Sequence, residues 1–552
     1  MTQTDVLVVG AGPTGLTLAC DLARRGVAVR IVDRAQEFPG GSRGKGLSPR
    51  SLEVFDDLAV IDRMLASGIT HMPHRKYQGA DVIAEIDPEA GRMPTPDIPY
   101  PVGLMIPQWR VEQILRERLA DFDVAVELGA ELRSFSQHGD AVTATIGEAQ
   151  IQARVLVGCD GGGSTVRKAL GLSLRGQTPD VQLMAVGDVE VDGLGRDAWH
   201  QWFTGDGAIM LCPLPGTNAF QVQASHELDQ DGSPLEPTLE RFQQTFDRIA
   251  GIPGVRLHSL AWRSSYRVNV RMVDQLRAGR VFLAGDAAHV HPIAGGLGMN
   301  SGIQDAYNLG WKLGLVLAGN ATSGLLDTYE EERLPIASWL LDITSERLNA
   351  VLDAIKEKGG GVDAVATPEL TQLMLRYPWS RLSRQTTSRP TGPRPGDRAP
   401  DAPLRDAATG TPTRLFDLFR GPHFTLLGLG GRCAPVPGDI ETDIVKPYLV
   451  GPGGLLDDDG QVAHAYGTDA LILVRPDGHI GLVAHPHGDG KRWRVPPLPV
   501  KAFGTHWNVP RLALASAHRP MRHLQRPHPR NRNPVLPTPR QQDEPPQLGR
   551  PR

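Results

Sequence analysis

Cysteine is scarce in this chain, and neither sign of charge dominates. The four cysteines, Cys20, Cys159, Cys212 and Cys433, are scattered through 552 residues and form no metal-ligand spacing. That excludes a disulfide-stapled scaffold and a zinc ribbon, and no metal is expected. The plain reading is four thiols in a reducing cytoplasm. The balance of 58 Lys+Arg against 62 Asp+Glu gives a net charge of −4, which offers no field for nucleic acid or an anionic membrane. No apolar run approaches the roughly 18 residues of a membrane span. The chain enters a strand at Asp5 with neither a charged leader region nor a cleavage site, so no secretory signal is expected. What the chain does have is glycine, 62 of them, and a 40% hydrophobic content sufficient for two to four domains.

The first glycines are organised. Asp5–Val9 is a short apolar run that reads as a central parallel strand. Gly10-Ala11-Gly12-Pro13-Thr14-Gly15 follows at once, and an amphipathic helix runs to about Arg25 before Gly26 stops it. A second strand, 27–32, ends at Asp33-Arg34. This is G-x-G-x-x-G inside a βαβ unit with an acidic residue about twenty positions on, the pattern of a dinucleotide site. The glycines permit a tight turn and close approach to a pyrophosphate, the helix N-terminus faces the phosphates, and Asp33 can hold ribose hydroxyls. Gly10, Gly12, Pro13, Thr14, Gly15, Asp33 and Arg34 are therefore cofactor-binding candidates. The motif does not separate a flavin from a nicotinamide dinucleotide.

A second organised stretch runs from Arg280 to Gln304. Val281–Ala284 reads as a buried strand, Gly285-Asp286 as an acidic turn, His291–Gly298 as a Pro/Gly-rich loop, and Met299 onward as a helix. A carboxylate on such a turn can accept hydrogen bonds from a polyol chain. Unpaired N–H groups at the helix start can face a ring that gains negative charge. Asp286, Pro292, Gly298, Met299 and Asn300 join the cofactor candidates, and Gly295 joins the substrate side of the loop.

Gly285–Asn300, as G-D-A-A-H…P…G-x-G-M-N, resembles the second flavin fingerprint of the class A flavoprotein monooxygenases, in particular the aromatic polyketide hydroxylases. Other motifs agree in order. Arg43–Glu53 looks like the family's R-G-x-G-L-x-P-R-x-L-E, Ile106-Pro107-Gln108 like its I-P-Q, Asp160–Arg167 like its D-G-x-x-S-x-V-R, and Tyr329–Pro335 like its Y-x-x-E-R-x-P. The resemblance implies non-covalent FAD, with Arg43 beside the flavin and its diphosphate, Gln108 on the ribityl chain and Asp160 in the cofactor-side framework. Lys45 stands where many relatives carry a small or uncharged residue, and Leu297 where many carry Gln. Lys45 receives no role from the resemblance.

The implied fold is α/β. A Rossmann-like FAD-binding domain (1–75, 106–180 and 272–358) carries an inserted antiparallel-sheet substrate domain (76–105 and 181–271). A linker (359–393) leads to a thioredoxin-like domain (394–484) without Cys-x-x-Cys, and residues 485–552, dense in Pro, Arg and His, read as a disordered tail. Within the sheet domain, Trp202, Phe203, Met210 and Pro213 are candidates either for a flat apolar pocket or for core. His289 and His291 are candidates for a catalytic base.

The implied activity is hydroxylation of a polycyclic aromatic substrate through a flavin C4a-hydroperoxide, with NADPH as transient reductant and dioxygen as co-substrate. A Baeyer–Villiger or ring-opening oxygenase would share every motif. An NAD(P)-dependent dehydrogenase would leave the second fingerprint unexplained, and a redox-silent flavin-binding protein would share both. Monomer and homodimer are both open.

Overall fold

The run Asp5–Val9 is apolar at nearly every position because both faces of its strand are covered. In the computed structural model it belongs to the strand Thr2–Val9, which lies between two parallel neighbours, Ala149–Gly158 and Val29–Val32. Val6, Leu7 and Val8 are fully buried, each contributing about 1.5–3 kcal/mol of burial. The structure describes residues 2–177, 183–231, 234–267, 269–291, 296–356, 367–385, 392–430 and 443–485. The tail expected from 485 falls outside these beyond its first residue, as do the Gly359–Val362 linker and part of Ser388–Pro400.

The central strand feeds the helix Pro13–Ala23. Proline at its first position has the fixed φ and missing N–H that suit a helix start. The strand Val281–Leu283 extends the same sheet on the far side of Ala149–Gly158 and leads to the helix Leu297–Leu317. The two helices pack on each other, so both glycine-rich loops open at the same end of the sheet.

A second, seven-stranded sheet has the order Arg256–Arg267, Leu183–Asp192, Ala219–Ser225, Gly207–Pro213, Trp199–Thr204, His74–Gln78, Asp81–Ile86. The early excursion therefore joins the later strands, with His74 paired in parallel to Trp199. One face is covered by a helix absent from the sequence reading, Leu239–Ile249. Thr238 caps it by accepting the Arg241 N–H, and Phe242, Phe246 and Ile249 bury its inner stripe.

A third, eight-stranded sheet near the C-terminus combines the parallel pair Phe424–Leu429 and Val445–Val450 with antiparallel Ala470–Val474 and Ile480–Ala484. Buried ions join it to the first layer. Arg475 reaches both oxygens of Glu332 at 2.7 and 2.9 Å, and Lys312 reaches Glu332 at 2.7 Å. Glu332 lies on Asp327–Lys356, one continuous helix despite Pro335 within it. Within the span expected as a linker, 359–393, lies a short 3-10 turn, Pro368–Thr371. No described helix is long and apolar enough to cross a membrane.

Candidate active site

The first loop is shaped by contacts only glycine can make. Gly10 has φ +103°, and a Cβ there would lie 2.3 Å from the Cys159 carbonyl oxygen. A Cβ on Gly15 would lie 2.0 Å from the Gly10 oxygen, so the helix begins hard against the turn. Gly12 differs, since a Cβ there would meet nothing within 4 Å. It borders open space, and no side chain caps the helix that starts at Pro13. Asp33 accepts the Ala11 N–H at 2.8 Å on one oxygen and the Ala35 N–H at 2.9 Å on the other. Its carboxylate is thus fixed at the loop, while Arg34 is exposed.

Thr14 joins the two glycine-rich halves. A Cβ on Gly285 would lie 2.6 Å from its Oγ1, and one on Gly302 would lie 2.3 Å from it. Two stretches nearly 300 positions apart thereby meet at one hydroxyl. Gly285–Ala287 forms a single 3-10 turn that presents Asp286. Asp286 is exposed, so the turn presents its carboxylate to solvent. Desolvation there raises its carboxyl; His289 opposes this and Asp305 adds to it.

Behind the turn the charges are sealed. Asp305 accepts the Gly285 N–H at 3.0 Å, pairs with His289 Nε2 at 2.6 Å and accepts Arg333 Nε–H at 2.6 Å. His289 Nδ1 lies 2.9 Å from His291 Nε2, and burial pushes His291 down to about 3, keeping it neutral. This corrects the reading of the two histidines as candidate bases. Both are buried and face inward, where they serve a buried carboxylate.

Three further candidates are spent on structure. Asn300 Oδ1 accepts the Ser48 N–H at 2.8 Å, and its Nδ2 donates to the Gly46 and Gly296 carbonyls at 3.0 and 2.8 Å. Its side chain therefore staples the helix start to the loop before Pro49, and only its backbone is left to face a ligand. Asp160 accepts Ser164 Oγ–H at 2.5 Å and the Thr165 and Val166 N–H groups at 2.7 and 3.1 Å, so it caps the Thr165–Ala169 helix. Gln108 accepts the Gly44 N–H at 3.3 Å and donates to Glu112 at 2.8 Å. Arg167, named only within its motif, donates to the Ala287 and Gly162 carbonyls at 3.0 and 2.8 Å and ties that cap to the acidic turn.

The helix Leu297–Leu317 has no side-chain cap at its start. Gly298 borders open space, as Gly12 does. Met299 lies against the 43–45 loop, where a Cβ on Gly44 would meet its Cε at 3.7 Å. Arg43 is exposed and holds φ +43°, uncommon for a residue with a side chain. Pro292 and Gly295 lie outside the described residues.

The second sheet forms the opposite wall. Ser42 donates its N–H and hydroxyl to Asp188 at 2.6 and 2.5 Å, fastening the loop to the sheet. Phe203 and Met210 share a small cluster with Met184 and Trp199. Trp202 and Pro213 do not belong to that wall. Trp202 is fully buried, stacked on Tyr77 and edge-on to Phe246 of the covering helix, and Pro213 alternates with Leu211 on that same covered face. Their neighbours in sequence take the other face because strand side chains alternate.

Two uncapped helix starts, two glycines open to space and one water-reachable carboxylate among protein atoms fit a dinucleotide with a polyol arm. Comparisons with known proteins agree. A model of the FAD binding domain matches residues 3–344, and one of the aromatic-ring hydroxylase C-terminal region matches 392–494. A flavin-dependent monooxygenase of Mycobacteroides abscessus is 41% identical over 490 residues, covering 87% of this chain and 96% of that protein. The 6-methylpretetramide 4-monooxygenase of Streptomyces rimosus is 41% identical over 512 residues, covering 86% and 90%. The crystal structure of aklavinone-11 hydroxylase with FAD and aklavinone superposes with a TM-score of 0.75 at 28% identity, covering 88% of this chain and 96% of that one. The chain belongs to the class A flavin-dependent monooxygenases and is an FAD-dependent aromatic hydroxylase by family.

Proposed function

We propose that this enzyme uses NADPH and dioxygen to hydroxylate a polycyclic, polyketide-type aromatic substrate in secondary metabolism. The observation that carries the reading is the Thr14 contact, which joins both glycine-rich loops at one place. The two relatives at 41% identity support the oxygenase chemistry.

In this reading Gly10, Gly12, Pro13, Thr14 and Gly15 hold the pyrophosphate, with Asp33 at the ribose and Arg34 and Arg43 at the rim. Asp286 takes a ribityl hydroxyl. Gln108 shapes the Gly44 turn above the flavin, and Asp160 supports it from behind. When bound, FAD supplies the reductive activation of dioxygen and the oxygen transfer. The backbone N–H groups of Gly298, Met299 and Asn300, at an uncapped helix start, would suit the edge of a ring that gains negative charge. Phe203 and Met210 line the substrate side, and the sheet excludes water. Residues 1–73, 106–180 and 272–358 form the cofactor domain and 74–105 with 181–271 the substrate domain; the boundary expected at 75 moves because the strand His74–Gln78 belongs to the second sheet. Residues 394–484 form a thioredoxin-like domain with no redox task.

The test is mass spectrometry of products from polycyclic phenols incubated with holoenzyme, NADPH and isotopically labelled dioxygen. One labelled oxygen on an intact aromatic ring is expected. A ring-expanded or ring-opened product would replace hydroxylation. Absence of any labelled product, with substrate-independent NADPH consumption, would remove the oxygenase reading.

A further inference from the structure

The loop that crosses between the cofactor layer and the second sheet carries Arg43, which is exposed, and Lys45, which is half-buried. Lys45 Nζ donates to Gln221 Oε1 at 2.6 Å and sits 4.3 Å from the centroid of the Trp199 ring. No carboxylate lies within ion-pair distance of it among the described residues. Asp188, Gln221 and Cys212 form one row across the sheet by their pairing register, and Lys45 stands over that row. Asp188 is the nearest acid, but both its oxygens are held by Ser42. Gln221 is equally committed, with its amide NH₂ on Ser42 Oγ and the Arg43 carbonyl and its oxygen shared between Lys45 and Gln223.

An ammonium has three protons to donate. One is used on a neutral oxygen, the neighbouring indole face adds a weak attraction, and no carboxylate among the described residues pairs with the ammonium. Three fully buried cations behave differently: Lys312 pairs with Glu332, Arg333 with Asp305, and Arg475 with Glu332 and Asp477. Burial depresses the Lys45 ammonium, opposed only by Cys212 and Asp188, in keeping with a charge that lacks a full partner. A half-buried cation beside an aromatic ring and a short apolar cluster suits a flat ligand carrying an anionic oxygen on its ring.

We propose that Lys45 is the substrate-orienting cation of this site, and that it selects fused-ring phenols by binding an ionised ring oxygen. The inference rests on the hydroxylase reading. The phenol proton leaves to solvent on binding, and Lys45 keeps its own. An ionised phenol carries more electron density at the ring positions next to and opposite its oxygen, where oxygen transfer takes place. The same contact therefore fixes orientation and raises reactivity.

The probe is alizarin, a dihydroxyanthraquinone whose absorption moves to the red on ionisation, with unsubstituted anthraquinone as the ring that cannot ionise. Holoenzyme is titrated at a pH where free alizarin is mostly neutral, and affinity is read by equilibrium dialysis. The parent is expected to bind alizarin with the red-shifted spectrum. Lys45→Met, with FAD occupancy unchanged, should lose that spectrum and about tenfold or more in affinity, while its affinity for anthraquinone stays within about twofold. Lys45→Arg should keep the shifted spectrum. Parent and Lys45→Met binding alizarin equally, in the neutral form, would overturn the role of Lys45 and leave the hydroxylase reading standing. A parent that binds neither ring compound would remove both.

Discussion

Asp286 and Asp305 are the same chemical group in adjoining positions with opposite fates. Asp305 is 1% exposed and takes donors from Gly285, His289 and Arg333. Burial alone would raise its carboxyl, but Arg333 and His289 outweigh burial and hold it well below the ordinary range. Asp286 has no hydrogen-bond partner among the described residues, is open to water, and has its carboxyl raised. A carboxylate whose valences are filled inside the protein is scaffold. One left with empty valences and open to solvent is available to a ligand. The comparison sorts the other candidates as well, with Asn300 and Asp160 beside Asp305, and Gly12 and Gly298 beside Asp286.

The scaffold side should break first and hardest. Asp305→Ala leaves the Arg333 guanidinium buried without its carboxylate and is expected to cost about 3–5 kcal/mol. Urea denaturation of the holoenzyme measures it, and a loss below about 1 kcal/mol would mean that this ion pair is dispensable.

Acid tests the same contrast without a mutation. Asp305 is depressed in the folded chain, and Glu332 is lowered to about 2 by Arg475 and Lys312 against the effect of burial. A depressed folded pKa gives stability that is complete above the unfolded value of about 4 and is lost as pH falls toward the folded one. The urea midpoint should therefore fall between about pH 5 and pH 3. In Asp305→Asn that acid-side fall should be shallower, since one of the protons responsible is gone. An identical slope in parent and variant would place the linkage elsewhere.

How much of this was legible in the sequence depends on how far each residue's partners lie. Gly10–Gly15 and Gly285–Asp286 declare themselves because a tight turn after an apolar run is a local event. The cap made by Asp160 is local too, with Ser164 four positions on, and its side chain could have been assigned to the helix rather than to a cofactor. The position of Trp202 follows from strand alternation once Phe203 faces the other way. Leu239–Ile249 was missed although Thr238 and the spacing of Phe242, Phe246 and Ile249 announce a helix. Asn300 was not legible, since its partners Gly46 and Ser48 lie some 250 positions away. The pairing of Asp305 with Arg333 likewise needs two helices to be packed before it exists.

On the ligand side the effects should be smaller and confined to the cofactor. If Asp286 takes a ribityl hydroxyl as proposed, Asp286→Ala should lose a charge-assisted hydrogen bond of about 1.5–3 kcal/mol, or roughly ten- to a hundredfold in FAD affinity. Because Asp286 supports nothing inside the protein, the urea midpoint of the apoprotein should stay within about 0.5 kcal/mol of the parent. A large loss of apoprotein stability would move Asp286 to the scaffold side and undo the comparison.

The smallest effect belongs to Gly298. A Cβ there meets no atom of the described residues within 4 Å, so Gly298→Val should fold normally. Whatever the substitution does must then come from the space the ligand occupies. The helix beginning at Leu297 carries about half a positive charge at its uncapped start. That charge favours the reduced flavin, which is anionic at its N1–C2 carbonyl edge, over the oxidised form. Valine holds the ring away from those N–H groups and weakens the preference by about 0.3–1 kcal/mol. For a two-electron couple this lowers the potential by roughly 6–20 mV, and reduction by NADPH should slow in step. Redox titration at full FAD occupancy reads the shift directly. An unchanged potential would mean that the open backbone at Gly298 addresses some part of the ligand other than the ring.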